Sequence, residues 1–347
     1  MYEGFYKLTG KPFQLTPNPR FYFGSHGHEK AMAYLRYGLH QGEGFIVITG
    51  DVGTGKTTLL GYLLGQLDGT KYVTARLVTT QLEADDTLRM LASAFGIDTR
   101  GADKATLLQG FERFLLEHQR RGMRALVLVD EVQNLPMRSL EELRMLSNFQ
   151  TNDSAPIQFV LLGQPQFQSM IASDDLMQLR QRVIASFHLG PLGPDETRSY
   201  IEHRLQLVNW QSDPLLTDEA YSRIHYHAGG VPRRINVLCD RLFLGGLLEE
   251  LHEIDGGMVD SVAGEMSSEG SAASPVNGRG KQIGNGDASV SSRVDSNESE
   301  LDRRLAAVER LVKVHDRTIK RALDLAASYL NEPREKPTGA SSPERGP

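Results

Sequence analysis

Short, largely apolar runs punctuate the chain: Phe45–Thr49, Tyr72–Val78, Ala125–Val129 and Ile157–Leu162, the third of them wholly apolar. They have the length of β-strands. Between them, over 56–67, 85–95 and 104–120, apolar positions recur every three or four residues, the spacing of helices with one buried face. A further helix is predicted to open at Ser139, with Glu142 three residues later completing a capping box. Strands this apolar, alternating with helices, predict a parallel sheet covered on both faces, an α/β fold. From Gly193 the pattern becomes all-helical. Gly193-Pro194-Asp195-Glu196 and Thr217-Asp218-Glu219 read as helix starts, with acids in the first turn and, in the first, proline at the leading position. A third helix follows Pro232, with Ile235, Leu238, Leu242 and Leu247 on its buried side.

The pattern fades after Met266. Residues 267–300 are Ser, Gly, Asn, Asp and Glu with four isolated aliphatics, too few to offset chain entropy, so a disordered linker is predicted. Leu301, Leu305, Val308, Val312, His315, Ile319, Ala322, Ala326 and Tyr329 then alternate in steps of four and three, a heptad seam over 301–332 that suits a coiled coil. A Pro/Gly/Ser tail, 333–347, follows. This tract explains a hydrophobic content of only 39% in a chain of 347 residues. The remainder divides into a lead segment (1–44), an α/β core (45–190) and a small helical domain (191–266). A net charge of −6 argues against a wholly basic nucleic-acid binder. One cysteine, Cys239, excludes an intrachain disulfide or a cysteine-cluster zinc site. With no signal-like start and no apolar run of membrane length, a cytoplasmic protein without an integral membrane segment is expected.

The chemistry concentrates at the ends of the apolar runs. Gly50-Asp51-Val52-Gly53-Thr54-Gly55-Lys56-Thr57 fits the phosphate-loop pattern and lies between a strand and a helix. Its backbone N–H groups, with Thr58 in the first helical turn, are expected to cradle phosphates. Lys56 would neutralise them and Thr57 would hold Mg²⁺. Asp130-Glu131 ends the strand from Ala125. Asp130 is expected to share the Mg²⁺ and Glu131 to activate a water, which favours hydrolysis of a nucleoside triphosphate over transfer to another acceptor. Gln164, after the fourth strand, is placed to sit between Asp130 and the γ-phosphate. Arg182, with Arg180 second, is the candidate finger reaching a neighbouring subunit's nucleotide, and Arg233 is expected to reach phosphates from the helical side. His26/His28 and His225/His227 have metal-like spacing but no further ligands, and read as ordinary histidines.

Taken in order, the phosphate loop, Asp130-Glu131, Gln164, the arginines and the Gly230-Val231-Pro232-Arg233 turn resemble AAA+ ATPases. The lead segment (Lys11-Pro12-Phe13, Pro17-Asn18-Pro19, Phe21-Tyr22-Phe23), Asp130 to Leu135, Gly163-Gln164-Pro165 and Pro232 to Asp240 resemble the general secretion pathway A type. Within it, the likeness is greatest to the ATPase of exosortase/PEP-CTERM systems. The resemblance covers Met1 to Met266. It implies a P-loop AAA+ core with a helical lid, ATP and Mg²⁺ as cofactors, homo-oligomerisation, and energy supply to an envelope secretion, exopolysaccharide or exosortase assembly. It also implies that the segment before Phe45 helps to form the adenine pocket, with Phe21 to Phe23 nearby. Members of the secretion type continue into a membrane helix, where a polar linker and heptad helix are read here. The alternative is a DNA-linked ATPase of the transposition-helper or loader kind, against which stand the net charge and the lack of a helix-turn-helix pattern after Asp255.

Overall fold

The four apolar runs form strands, and a fifth strand joins them. The computed structural model describes residues 1–78, 84–149 and 155–272. In chain order it contains α1 (Tyr2–Phe5), α2 (His26–Gln41), β1 (Phe45–Gly50), α3 (Lys56–Gln66), β2 (Tyr72–Val78), α4 (Ala84–Ala94), α5 (Lys104–Arg120) and β3 (Arg124–Asp130). Next come α6 (Met137–Leu146), β4 (Ile157–Gly163), α7 (Gln166–Ala172), α8 (Met177–Arg180), β5 (Val183–Leu189) and α9 (Pro194–Gln206). The last elements are β6 (Leu215–Leu216), α10 (Asp218–Ala228), α11 (Pro232–Leu248), β7 (Glu253–Ile254) and α12 (Gly256–Ala272).

The main sheet is parallel, in the order β2-β3-β4-β1-β5. Strand side chains alternate between faces, and here both faces are buried. Phe45, Val47, Val127 and Phe159 enter one core with α4, α5 and α6; Ile46, Ile48, Leu128 and Val160 enter another with α2 and α3. That double burial is why these strands lack polar alternation.

A third core holds the small domain together, and four of its seven buried aromatic residues come from the chain's start. Tyr2, Tyr6, Phe13 and Phe21 pack with Ile201, Leu205, Leu242 and Phe243. The Tyr6 and Phe13 rings meet the Phe243 ring edge-on, with centroids 5.5 and 5.3 Å away. The lead segment is therefore two things: a strap, 1–23, that packs on the lid core except at Tyr22, whose ring stacks on that of Tyr62 in α3 with centroids 3.9 Å apart, and α2, which belongs to the sheet. The chain crosses between the two cores twice, near Ser25 and near Gly193. One carboxylate joins the crossings: Glu196 Oε1 accepts from the His26 N–H (2.8 Å) and Oε2 from the Gly193 N–H (3.0 Å).

Several expectations are corrected. Helix α6 begins before Ser139, which lies buried inside it and receives a hydrogen bond from Thr87 Oγ1 (3.0 Å). No capping box forms there, and Glu142 pairs with Lys104 instead. Strand β5 escaped the apolar pattern because it is an edge strand, with Ser186 and His188 exposed. The lid is not purely helical: β6 and β7 form a two-residue parallel pair. Residues 267–272, read as the start of a linker, are the end of α12. Ser267 Oγ donates to the Ala263 carbonyl (2.9 Å), and Arg241 pairs with Glu269 (2.7 Å). The rest of the linker, the heptad segment and the tail lie outside the described residues.

Candidate nucleotide site

Topology assembles the site. Strand β4 lies between β3 and β1, so the residues leaving these three strand ends, Glu131, Gln164 and the phosphate loop, emerge side by side. The loop Gly50–Lys56 runs from β1 into α3. Gly53 and Gly55 take φ of 87° and 98°, which disfavours any side chain. A Cβ at Gly53 would meet Arg233 Cβ at 2.5 Å, and one at Gly55 would meet His28 Nε2 at 2.8 Å. The loop is thus clasped from the lid side and from α2, and Val52, Gly53, Gly55 and Lys56 line the cleft.

Lys56 is buried, and its Nζ donates to the carbonyls of Gly50 (2.7 Å) and Asp51 (2.9 Å). Burial lowers its pKa, while Glu131, Asp130 and Asp51 work in the opposite direction. Thr57 Oγ1 donates to Asp130 Oδ2 at 3.0 Å. Two hard oxygen ligands therefore stand together. Among the described residues no group of three or more His, Cys, Asp or Glu is arranged for a metal. Such a sparse oxygen set fits Mg²⁺, which keeps several waters and takes the rest of its shell from phosphate. It does not fit zinc, and the paired histidines have other partners: His28 with Ser25, His225 with Thr197 and His227 with Asp260.

Glu131 has φ of 53°, a left-handed conformation uncommon outside glycine and found at functional sites. Its Oε2 accepts from Gln133 Nε2 (2.5 Å) and from Gln164 Nε2 (3.1 Å), while Gln133 Oε1 accepts from the Gln164 N–H (3.0 Å). Gln164 therefore reaches Glu131 rather than Asp130. Gln133 was not singled out from sequence, nor was Arg76, which places its guanidinium 3.2 Å from Asp130 Oδ2. Arg76 pairs with Asp130 because β2 and β3 are adjacent, a relation that sequence spacing does not carry. His28 is buried beneath the loop, with Nδ1 2.7 Å from Ser25 Oγ.

The cleft extends from the loop to the lid and strap, where Gln14, Pro17, Phe21, Tyr200, Arg204 and Asn236 line it. Arg233 also lines it, and its N–H donates to the Gly53 carbonyl (3.1 Å), so lid and loop touch directly. Arg180 and Arg182 lie at the opposite end of the sheet, where Val183 pairs with Phe45 at the start of β1. Arg182 is half-buried and donates to Ser147 O (3.1 Å) and Oγ (3.2 Å). Arg180 is exposed and donates to the Ala172 carbonyl (2.8 Å).

Comparisons with known proteins agree with this geometry. The model of the AAA domain family matches residues 39–171. General secretion pathway protein A of Aeromonas hydrophila is 37% identical over 268 residues, 77% of this chain and 49% of that protein. The chain thus spans about half the length of that relative. Among solved structures, Cdc6p of Pyrobaculum aerophilum is similar with a TM-score of 0.59 at 17% identity, over 76% of this chain and 74% of that one. The Aeropyrum pernix ORC2 protein gives 0.56 at 18% identity, over 72% of each chain. Residues 39–171 of this chain thus match an AAA domain, the fold is the P-loop AAA+ type with a parallel α/β core and a lid, and General secretion pathway protein A is a homologue.

Proposed function

We propose that the chain binds ATP with Mg²⁺ and hydrolyses it, converting turnover into conformational work on an envelope secretion, exopolysaccharide or exosortase-linked assembly. The observation that carries the reading is the constellation at one end of the sheet: Lys56 beside the loop, Thr57 and Asp130 sharing a hydrogen bond, and Glu131 held by Gln133 and Gln164. Lys56 and the loop N–H groups bind phosphates, Thr57 and Asp130 hold Mg²⁺, and Glu131 orients and deprotonates a water. When bound, Mg²⁺ supplies charge neutralisation across the phosphates. Gln164 fixes the Glu131 carboxylate. Arg233 adds positive charge from the lid.

Distance favours a finger acting on a neighbouring copy. Arg180 and Arg182 stand a strand's length, about 20 Å, from the loop of their own copy, so a neighbouring copy is the better receiver of either. Arg180, exposed and lightly held, is better placed than Arg182, which is engaged by Ser147. In this reading the oligomeric partner is another copy of this chain. The envelope assignment rests on the secretion-pathway homologue. No helix among the described residues is long and apolar enough to cross a membrane.

The test is turnover by purified protein, wild type against Lys56→Ala and Glu131→Gln. Loss of turnover in both, with ATP retained by Glu131→Gln, supports the reading; normal hydrolysis by Glu131→Gln sinks the base assignment. Mixing Arg180→Ala protein with Lys56→Ala protein probes the finger in trans, since mixed assemblies pair intact sites with intact fingers. No turnover above that of the separate proteins counts against it. The DNA-linked alternative draws on a fold neighbour, the Aeropyrum pernix ORC1 protein solved with DNA (TM-score 0.53, 16% identity, 78% of this chain and 74% of that one). DNA-stimulated turnover that collapses with salt would favour it.

A further inference from the structure

We propose that Asn236 is a specificity-determining residue of the cleft: its amide N–H group is a fixed hydrogen-bond donor for an acceptor atom on the nucleoside part of the ligand, and Tyr200 and Arg204 are positioning residues that fix it. The proposal rests on the nucleotide reading above and names what recognises the end of the ligand away from the phosphates.

An asparagine side chain has one accepting and one donating end, and its neighbours decide which faces a ligand. Here the order is forced. Arg204 is buried and has only donors. Its Nε donates to the Pro12 carbonyl (2.6 Å) and its terminal nitrogens to the Tyr200 hydroxyl (3.1 Å) and the Gln14 carbonyl (3.5 Å). The Tyr200 oxygen therefore accepts from Arg204, and its hydrogen points to Asn236 Oδ1 at 2.9 Å. With Oδ1 taken, Nδ2 is the free end. Asn236 is 93% buried, with 7% of its surface exposed, yet Nδ2 is not among the enclosed unpartnered atoms of the described residues, and the residue lines the cleft. A buried donor open only to a cleft asks for an acceptor from whatever fills it.

Position identifies which part of the ligand that is. On α11, Arg233 holds Gly53 of the phosphate loop by its backbone. Asn236 lies three residues further along the same helix face, about 5 Å along the axis from Arg233. Its surroundings there are aromatic: the Arg204 guanidinium lies 4.5 Å from the Phe21 ring centroid and 5.5 Å from that of Tyr200. Apolar walls with one oriented donor suit a base and its sugar rather than a triphosphate.

The experiment measures equilibrium binding of Mg²⁺–ATP and of inorganic tripolyphosphate to the full chain, wild type against Asn236→Asp and Tyr200→Phe. The aspartate keeps the shape and the bond from Tyr200 but presents an acceptor to the cleft. ATP binding is expected to weaken about tenfold, the loss of one oriented hydrogen bond, with tripolyphosphate unchanged. Tyr200→Phe frees the amide to flip and is expected to cost about threefold. If Asn236→Asp does not fold, judged by its melting transition, Asn236→Leu carries the same expectation. Among 1-, 3- and 7-deaza-ATP and 2′- and 3′-deoxy-ATP, one analogue should bind the wild type more weakly than ATP does yet bind Asn236→Asp as ATP does, naming the acceptor. Equal ATP affinity in wild type and Asn236→Asp, or no such analogue, overturns the proposal and leaves the nucleotide reading standing. A wild-type chain that binds no ATP overturns that reading first.

Discussion

The two ends of the cleft are built by different means. At the phosphate-loop end, the cleft is lined by Val52, Gly53, Gly55, Lys56, Thr57 and Glu131, set at the ends of strands that are buried on both faces. At the lid end, the wall comes from two distant stretches of chain, residues 1–23 and the helices after Gly193, held together by aromatic packing and by Arg204. The first end depends on a short local motif carried by a rigid sheet. The second depends on long-range contacts that no single motif encodes. Binding chemistry and packing are thus separable here, and substitutions should divide along the same line.

Lys56→Ala should have the largest effect, abolishing turnover and weakening nucleotide about 100-fold, because a charge-assisted contact worth about 3 kcal/mol disappears while the fold stays intact. Unchanged affinity by calorimetry would contradict the assignment of the phosphate end. Glu131→Gln should lower turnover by about 10²- to 10⁴-fold with nucleotide still bound, the range for a lost general base. At the other end, Phe243→Ala should destabilise the protein by about 3–5 kcal/mol in urea unfolding, since it removes a fully buried ring that three other aromatics contact. A loss below about 1 kcal/mol would mean that the strap does not share the lid core.

A smaller effect joins the two ends. Burial holds His28 below the usual histidine pKa. The folded protein thus keeps it neutral, while the unfolded chain takes up a proton near pH 6.5. Stability should be fully present above about pH 6.5 and decline as pH falls below it, and His28→Asn should flatten that slope in urea midpoints measured at several pH values. The smallest effect is expected for Asp218→Asn. It removes the exposed partner of an Arg198 pair at 2.6 Å, and should cost less than about 1 kcal/mol.

The same division governs what could be read from sequence. The phosphate loop, Asp130, Glu131 and Gln164 were legible because each follows an apolar run, and apolar runs of that kind mark buried parallel strands. The helix over Lys104–Arg120 was legible to the residue. Strand β5 was not, since one polar edge mixes Ser186 and His188 into its pattern. Arg76 and Gln133 were invisible for another reason: their roles arise from neighbouring strands and from a turn that folds back on Glu131. The membership of Tyr2, Tyr6 and Phe13 in the lid core was equally hidden, because their partners lie some two hundred positions away, as in the bond from the Tyr2 hydroxyl to Asp240 (2.7 Å).

The carboxylate of Glu196 has a mechanical consequence. A body attached to another by one strand of chain can swing and twist freely; one attached by two separated strands can do little of either. Here both crossings are gathered at a single carboxylate, through the N–H groups of His26 and Gly193. That is the arrangement of a door hung on one pin, with rotation about one axis as the easy motion. The bond from Arg233 to Gly53 ties the lid directly to the phosphate loop and opposes this rotation. A change at the phosphate loop therefore has a direct route to the lid, through the backbone hydrogen bond that Gly53 shares with Arg233.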